Sequence, residues 1–325
     1  MIGIMQRNVL HSVLAVTFSL LLSACQQAET PAKSWQQAAK GTLSAAFSSD
    51  GRLGFIGSIS HGGSLWRLED GERLFNWNHS QDQYSVIYAA AFSADDSLVA
   101  TTEYETIVLW DAATGKSVRF WHAPARIMSI DLSPKGDFAL LGLDNHTAVL
   151  FDIMAGGITR TLAHAATVTS VALNKDGSMA VTGSDDFVAK VWSVESGALL
   201  ATLAHTSPVN LVAISNSGQQ ILTGAYREEV VIWNSRSGES IHTLFKTNPG
   251  LTVAVFSRDG SMLLTGNAKQ HIQLWDTQNW TRKKEWQLEK AGQWQGSAVL
   301  ALAFSDKPGR FYAAASTGQS YQLAD

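Results

Sequence analysis

The sequence predicts an all-β protein built from seven copies of one four-stranded unit, and three observations carry that reading. First, the stretch Leu162–Val194 holds an apolar run (Val168, Val171, Leu173), a second (Met179, Val181) and a third ending in Val191-Trp192. The turns Lys175-Asp176-Gly177 and Ser184-Asp185-Asp186 separate them, and a fourth run, Ala198–Leu203, precedes a restart at His205. Short alternating runs rich in β-branched residues, broken by such turns, read as antiparallel strands. Second, the position of Leu173 recurs at Phe47, Phe92, Leu132, Ile214, Phe256 and Phe304, at intervals of 45, 40, 41, 41, 42 and 48 residues. Third, a bulky residue follows 18 or 19 positions later: Trp66, Trp110, Phe151, Trp192, Trp233 and Trp275. A period of about forty residues with four strands is that of propeller blades. The expected fold is a seven-bladed β-propeller of four-stranded antiparallel blades over residues 35–325.

Ahead of the repeats, Met1–Ala24 has one basic residue (Arg7), the mostly apolar run Val9–Leu22, and Ser23-Ala24. That is the layout of a secretory signal, and the run is short and broken for a membrane span. Leu22-Ser23-Ala24-Cys25 resembles the bacterial lipobox, which implies cleavage before Cys25 and lipidation of its thiol. Gln26 follows it; by the same resemblance, the absence of Asp there implies an outer-membrane lipoprotein facing the periplasm. Residues 25–34 are polar with Pro31 and read as a short tether.

Blade one has the Gly-rich second turn Gly57-Ser58-Ile59-Ser60-His61-Gly62-Gly63. A strand follows it, so a tight turn is expected; phosphate cradles open a helix. Asn78–Ser85 and Glu285–Gly296 are longer than the matching connections elsewhere, and the second carries Trp286 and Trp294. It reads either as a lid over its own blades or as a partner-facing loop. Blade seven ends at Gln322-Leu323-Ala324-Asp325, aligned with Gln273-Leu274-Trp275-Asp276. It therefore lacks an outer strand, and Ser34–Ala39, anchored by Trp35, is the candidate to supply it.

The repeated phrases Leu109-Trp110-Asp111, Val191-Trp192-Ser193, Ile232-Trp233-Asn234 and Leu274-Trp275-Asp276 resemble the WD-repeat β-propeller family across nearly all of residues 35–325. The resemblance implies a structural tetrad, which maps in the fourth unit onto His164, Thr182, Asp186 and Trp192. Other units depart from it. The fifth keeps His205, Thr223 and Trp233 but has Arg227 for the acid. The sixth keeps Thr265 and Trp275 with Lys246 and Lys269. The third keeps His122 with Leu141, Asn145 and Phe151. One blade is expected to be fully wired.

Charge and motifs narrow the function. With 24 basic and 28 acidic residues, the chain lacks the clustered cations of a nucleic-acid binder. Cys25 is the one cysteine, so the repeats hold no disulfide or thiolate ligand. His122, His164 and His205 recur at 42 and 41 residues, a repeat period and not a metal constellation, while His61, His79, His146, His242 and His271 read as isolated. The motifs of zinc proteases, nucleotide loops and serine hydrolases do not occur. Asp111-Ala112-Ala113-Thr114-Gly115 matches half of the turn used by quinone-cofactor propellers, but Trp121 falls too late. No cofactor, metal or catalytic residue is expected.

The family resemblance also implies a partner-binding rim around the central channel. The residue before the tetrad acid gives Glu103, Asp144, Asp185, Tyr226 and Ala268. The start of the innermost strand gives Tyr88, Met128, Thr169, Asn210 and Thr252. An acidic rim with Tyr88, Met128 and Tyr226 as apolar contacts suits a basic or amide-rich peptide. The expectation is a monomeric, non-catalytic scaffold for protein or peptide partners. An enzyme or cofactor binder using the channel, and an accessory to outer-membrane protein assembly, stand as alternatives.

Overall fold

The computed structural model describes residues 28–79, 84–288 and 297–324. The signal segment 1–24, Cys25, the middle of the Asn78–Ser85 connection and Trp294 lie outside the described residues. Among the described residues are seven four-stranded antiparallel sheets and no helix. Blades one to six each use four consecutive strands in sequence order. The first strand of each blade packs on the first strand of the next, and that of blade seven, Val299–Phe304, returns to that of blade one, Thr42–Phe47. The sheets therefore form a closed ring with the first strands innermost.

Register follows from the hydrophobic alternation. In blade four Leu173 pairs with Ala180, and Ala180 pairs with Trp192. This places the repeated bulky residue over the seam between blades: Trp192 packs with Leu140, Leu150 and Val168, and Trp275 with Leu211, Leu222 and Leu263. Burial of such residues at about 25 cal/mol per Å² dominates the stability. The inner strands are further stitched across blades. Ser129 Oγ accepts the Val171 N–H at 3.2 Å and Ser170 Oγ that of Val212 at 3.0 Å. Asp131 Oδ2 accepts the Leu173 N–H at 2.8 Å. Each satisfies an edge donor that its own sheet leaves unpaired.

Blade seven is completed from the other end of the chain. Lys33–Gln36 pairs antiparallel with Gln319–Ala324, with Trp35 opposite Ser320. Trp35 also lies against Gly71, whose positive φ of 73° and absent side chain let the indole approach; a Cβ there would sit 2.2 Å from the ring. The strand starts at Lys33, inside the segment read as tether, and the docking extends further upstream. Glu29 N–H donates to Glu285 O at 2.9 Å and Glu29 O accepts the Gln287 N–H at 3.0 Å. One segment thus clasps blade six as well as blade seven. Register in blade seven also corrects the sequence alignment by one residue. Phe311 pairs with Leu323 as Leu263 does with Trp275, so Leu323 and not Ala324 holds the tryptophan position.

Candidate functional site

Antiparallel order brings the blade-to-blade connections and the second-to-third-strand turns to one face of the ring. The candidate rim residues lie there. Asp144, Asp185 and Tyr226 are exposed in equivalent turns, fixed by N–H donation to Arg126 O (3.1 Å), Thr167 O (2.9 Å) and Pro208 O (2.9 Å). Leu43, Met128, Thr169, Asn210, Thr252 and Leu300 each sit at a register break in the inner strand, as in the shift between Ile127 and Ser129. A bulge of this kind re-aims a side chain, and here the bulged residue stands at the mouth of the channel. Thr169 and Thr252 spend their hydroxyls on Val209 O and Val299 O, each at 2.6 Å. Met128 and Asn210 remain exposed.

Blades one to three gather contacts that repeat matching did not single out. Tyr88 and Tyr104 meet edge to face with centroids 5.0 Å apart. The Arg126 guanidinium lies over both rings, at 5.5 and 5.4 Å. Tyr104 takes a positive φ of 51° in a two-residue turn and is 54% exposed. Tyr84 and His61 pair at 5.5 Å across blades one and two. Phe187 and Tyr226 extend the exposed aromatic rim into blades four and five. Tyr88 and Tyr226 were expected on the rim; for Tyr84, Tyr104 and Phe187 the signal available in the sequence was an aromatic residue at a turn position, where packing does not ask for one.

Under the rim lie the polar relays. In blade four, His164 Nδ1 is 2.9 Å from Asp186 Oδ2, His164 Nε2 is 2.7 Å from Thr182 Oγ1, and Trp192 Nε1 is 2.9 Å from the same hydroxyl. A neutral imidazole satisfies every partner: Nδ1–H donates to the carboxylate, and the hydroxyl donates to Nε2 while accepting from the indole. Burial lowers the His164 pKa against the pull of Asp186. Burial pushes Asp186 up, but the Ala165 N–H and His164 together hold its carboxyl below the ordinary value.

Three blades, not one, carry a histidine relay among the described residues. In blade five the acid is Glu228, not position 227: its Oε2 is 3.3 Å from His205 Nδ1, while His205 Nε2 lies 2.8 Å from Thr223 Oγ1. The longer side chain reaches from one residue further along. In blade two, His79, read as isolated, lies 2.8 Å from Thr101 Oγ1, which accepts from Trp110 Nε1 at 2.8 Å. The longer Asn78–Ser85 connection hid this match. Glu103 faces that relay, 3.7 Å from His79 Nδ1, and accepts the Val86 N–H at 3.3 Å. His122 belongs to no relay. Ala123 holds the place of His164, each donating its N–H across the same turn, to Glu105 O and His146 O. His122 is one residue earlier, so strand alternation points it to solvent. Blade six keeps the Trp275–Thr265 bond at 3.0 Å; in blade one Ile56 holds the Thr place, and Ser64 on the third strand opposite it accepts the Trp66 Nε1–H at 2.7 Å.

Three segments of the chain, 156–193, 197–234 and 238–276, match the family WD domain, G-beta repeat. These three segments are similar to WD40 repeats. Each matched segment starts before the outer strand of one blade and ends with the third strand of the next, so a WD40 repeat straddles two blades. The matched segments end on blades four, five and six, which hold Trp192, Trp233 and Trp275. No curated protein matches the chain. Among the described residues no cluster of three or more His, Cys, Asp or Glu side chains is placed to hold a metal ion.

Proposed function

We propose that this WD40-repeat propeller is a non-catalytic scaffold that takes protein or peptide partners on the face carrying the rim, and that a lipid on Cys25 holds it at an outer membrane facing the periplasm. The observation that carries the first part is the construction of the rim. Six inner strands bulge at the same position and seven turns open on the same side, so side chains of different blades converge around one axis. Exposed Met128, Tyr104 and Tyr226 there form the amphipathic, aromatic surface typical of protein contacts. The anchoring reading rests on the residues around Cys25. With Glu29 docked on blade six, residues 25–28 leave at most roughly 14 Å of extended chain, which would hold the blade six to seven edge close to the bilayer.

Capture of partners from solubilised outer membranes tests the scaffold. Met128→Asp with Tyr226→Asp should abolish capture, and Gln219→Arg on the opposite face should leave it intact; capture indifferent to the first pair refutes the reading. Incorporation of labelled palmitate, lost in Cys25→Ser, tests the anchor; an unlabelled wild-type chain refutes it.

A further inference from the structure

The face proposed for partners is not uniform around its axis. Blades one to three present Leu43, Ile59, Tyr84, Tyr104 and Met128 as exposed large apolar side chains. Opposite Leu43 and Met128, the inner-strand positions of blades four to six are polar, Thr169, Asn210 and Thr252, and those blades expose Phe187 and Tyr226 only in their turns. The chain at Leu43 and the chain at Tyr88 run side by side across the first seam, where Ser44 Oγ donates to Ile87 O at 2.7 Å. Tyr104 joins them to blade three, because Ile127 N–H donates to Tyr104 O at 2.8 Å. The result is an apolar crescent with one cation, Arg126, seated within it.

Arg126 is exposed, and its guanidinium makes no ion pair or hydrogen bond among the described residues. Two tyrosine rings, edge to face with each other, hold it at cation–π distance. A guanidinium carries its N–H donors in a rigid planar fork, which matches a carboxylate. The neighbouring acids do not take that place. Glu103 is engaged with the Val86 N–H beside His79. Asp144 donates its N–H to Arg126 O at 3.1 Å, but its carboxylate forms no ion pair with the guanidinium among the described residues. Glu105 is exposed at the far end of the Tyr104 turn.

We propose that this crescent selects an extended partner segment in which an Asp or Glu is flanked by apolar side chains, the carboxylate seated on Arg126 and the flanking groups on Tyr88–Leu43 and Met128. Apolar surface lies on both sides of Arg126, so the segment runs through the site; a chain terminus would leave half of it bare. This assigns to the crescent a preference opposite to that expected of an acidic rim. It rests on the proposal that partners use this face.

The test is selection of a displayed library of random heptapeptides on the full chain, on Arg126→Gln and on Arg126→Glu. Wild type should enrich an acidic residue between apolar ones, with selected peptides binding Arg126→Gln at least about tenfold more weakly, the size expected for one charge-assisted pair. Arg126→Glu should instead enrich Lys or Arg at that place. Equal thermal unfolding of the three proteins separates recognition from loss of fold. Enrichment of basic or uncharged peptides by wild type, the same enrichment by all three proteins, or no enrichment, overturns the inference. Partner capture that still depends on Met128 and Tyr226 would, in that event, leave the scaffold reading standing.

Discussion

Replacing Thr182 by valine deletes one hydroxyl and keeps the shape of the side chain. That hydroxyl is fully buried and has two partners, His164 Nε2 at 2.7 Å and Trp192 Nε1 at 2.9 Å. Both are left without a partner in a site that excludes water. An orphaned buried polar group costs about 1–3 kcal/mol. Two of them, partly relieved by relaxation, should cost about 2–4 kcal/mol. The direction can be separated from simple packing by pairing the change with Trp192→Phe, which removes the indole donor. The double variant should be less destabilised than the sum of the two single changes by about 1 kcal/mol or more. Denaturant unfolding followed by tryptophan fluorescence measures the total, and amide exchange in Met179–Ser184 reports whether blade four opens first. A cost under about 0.5 kcal/mol for Thr182→Val, or strict additivity with Trp192→Phe, would refute the relay as a source of stability.

The relays also set the response to acid. Burial pushes the His79 pKa down to about 4 and lowers His164 and His205, so the unfolded chain binds more protons between roughly pH 4 and 6.5, and stability should fall as pH drops through that window. His79 alone contributes on the order of 3 kcal/mol, and His79→Gln should flatten the midpoint-versus-pH curve. Asp131 acts with the opposite sign. Burial raises its carboxyl to about 6 over the opposing pull of the Leu173 and Leu132 N–H groups, so its contribution falls as pH rises from roughly 4 to 6, and Asp131→Asn should remove that slope in the same titration. Trp35→Ala should loosen the clasp on blade seven, read as earlier proteolysis between residues 28 and 36; an unchanged cleavage pattern counts against the clasp. Phe187 holds a positive φ of 72° with its ring exposed, so Phe187→Asn should raise stability by up to about 1 kcal/mol by thermal unfolding.

What the sequence disclosed follows the physics of repeats. Seven occurrences of the Leu173 position were legible because every blade must bury the same inner and third strands against its neighbours. The His164–Thr182–Asp186–Trp192 relay was legible because all four residues of the unit fell where the WD-repeat resemblance implies them. His79 was not, because its connection is longer and Thr101 precedes Trp110 by 9 residues where Thr182 precedes Trp192 by 10. Glu228 escaped because one extra methylene allows a reach from the adjacent position. Spacing alone could not reveal that Glu103 engages His79 and the Val86 N–H, because that needs the fold of the longer connection. Nor could it assemble Tyr88, Tyr104 and Arg126, which meet where blades two and three pack together. Relays obey a repeat and can be found by alignment; a recognition surface is where repeats differ, and it needs the third dimension.

A photo-reactive amino acid placed at Met128, with a second chain carrying it at Ser237 on the opposite face, gives the most direct measurement. Irradiation in intact cells should join a discrete envelope protein to the Met128 chain, with no such adduct from Ser237. Adducts from Ser237 alone, or equal adducts from both positions, would contradict a partner surface on the rim.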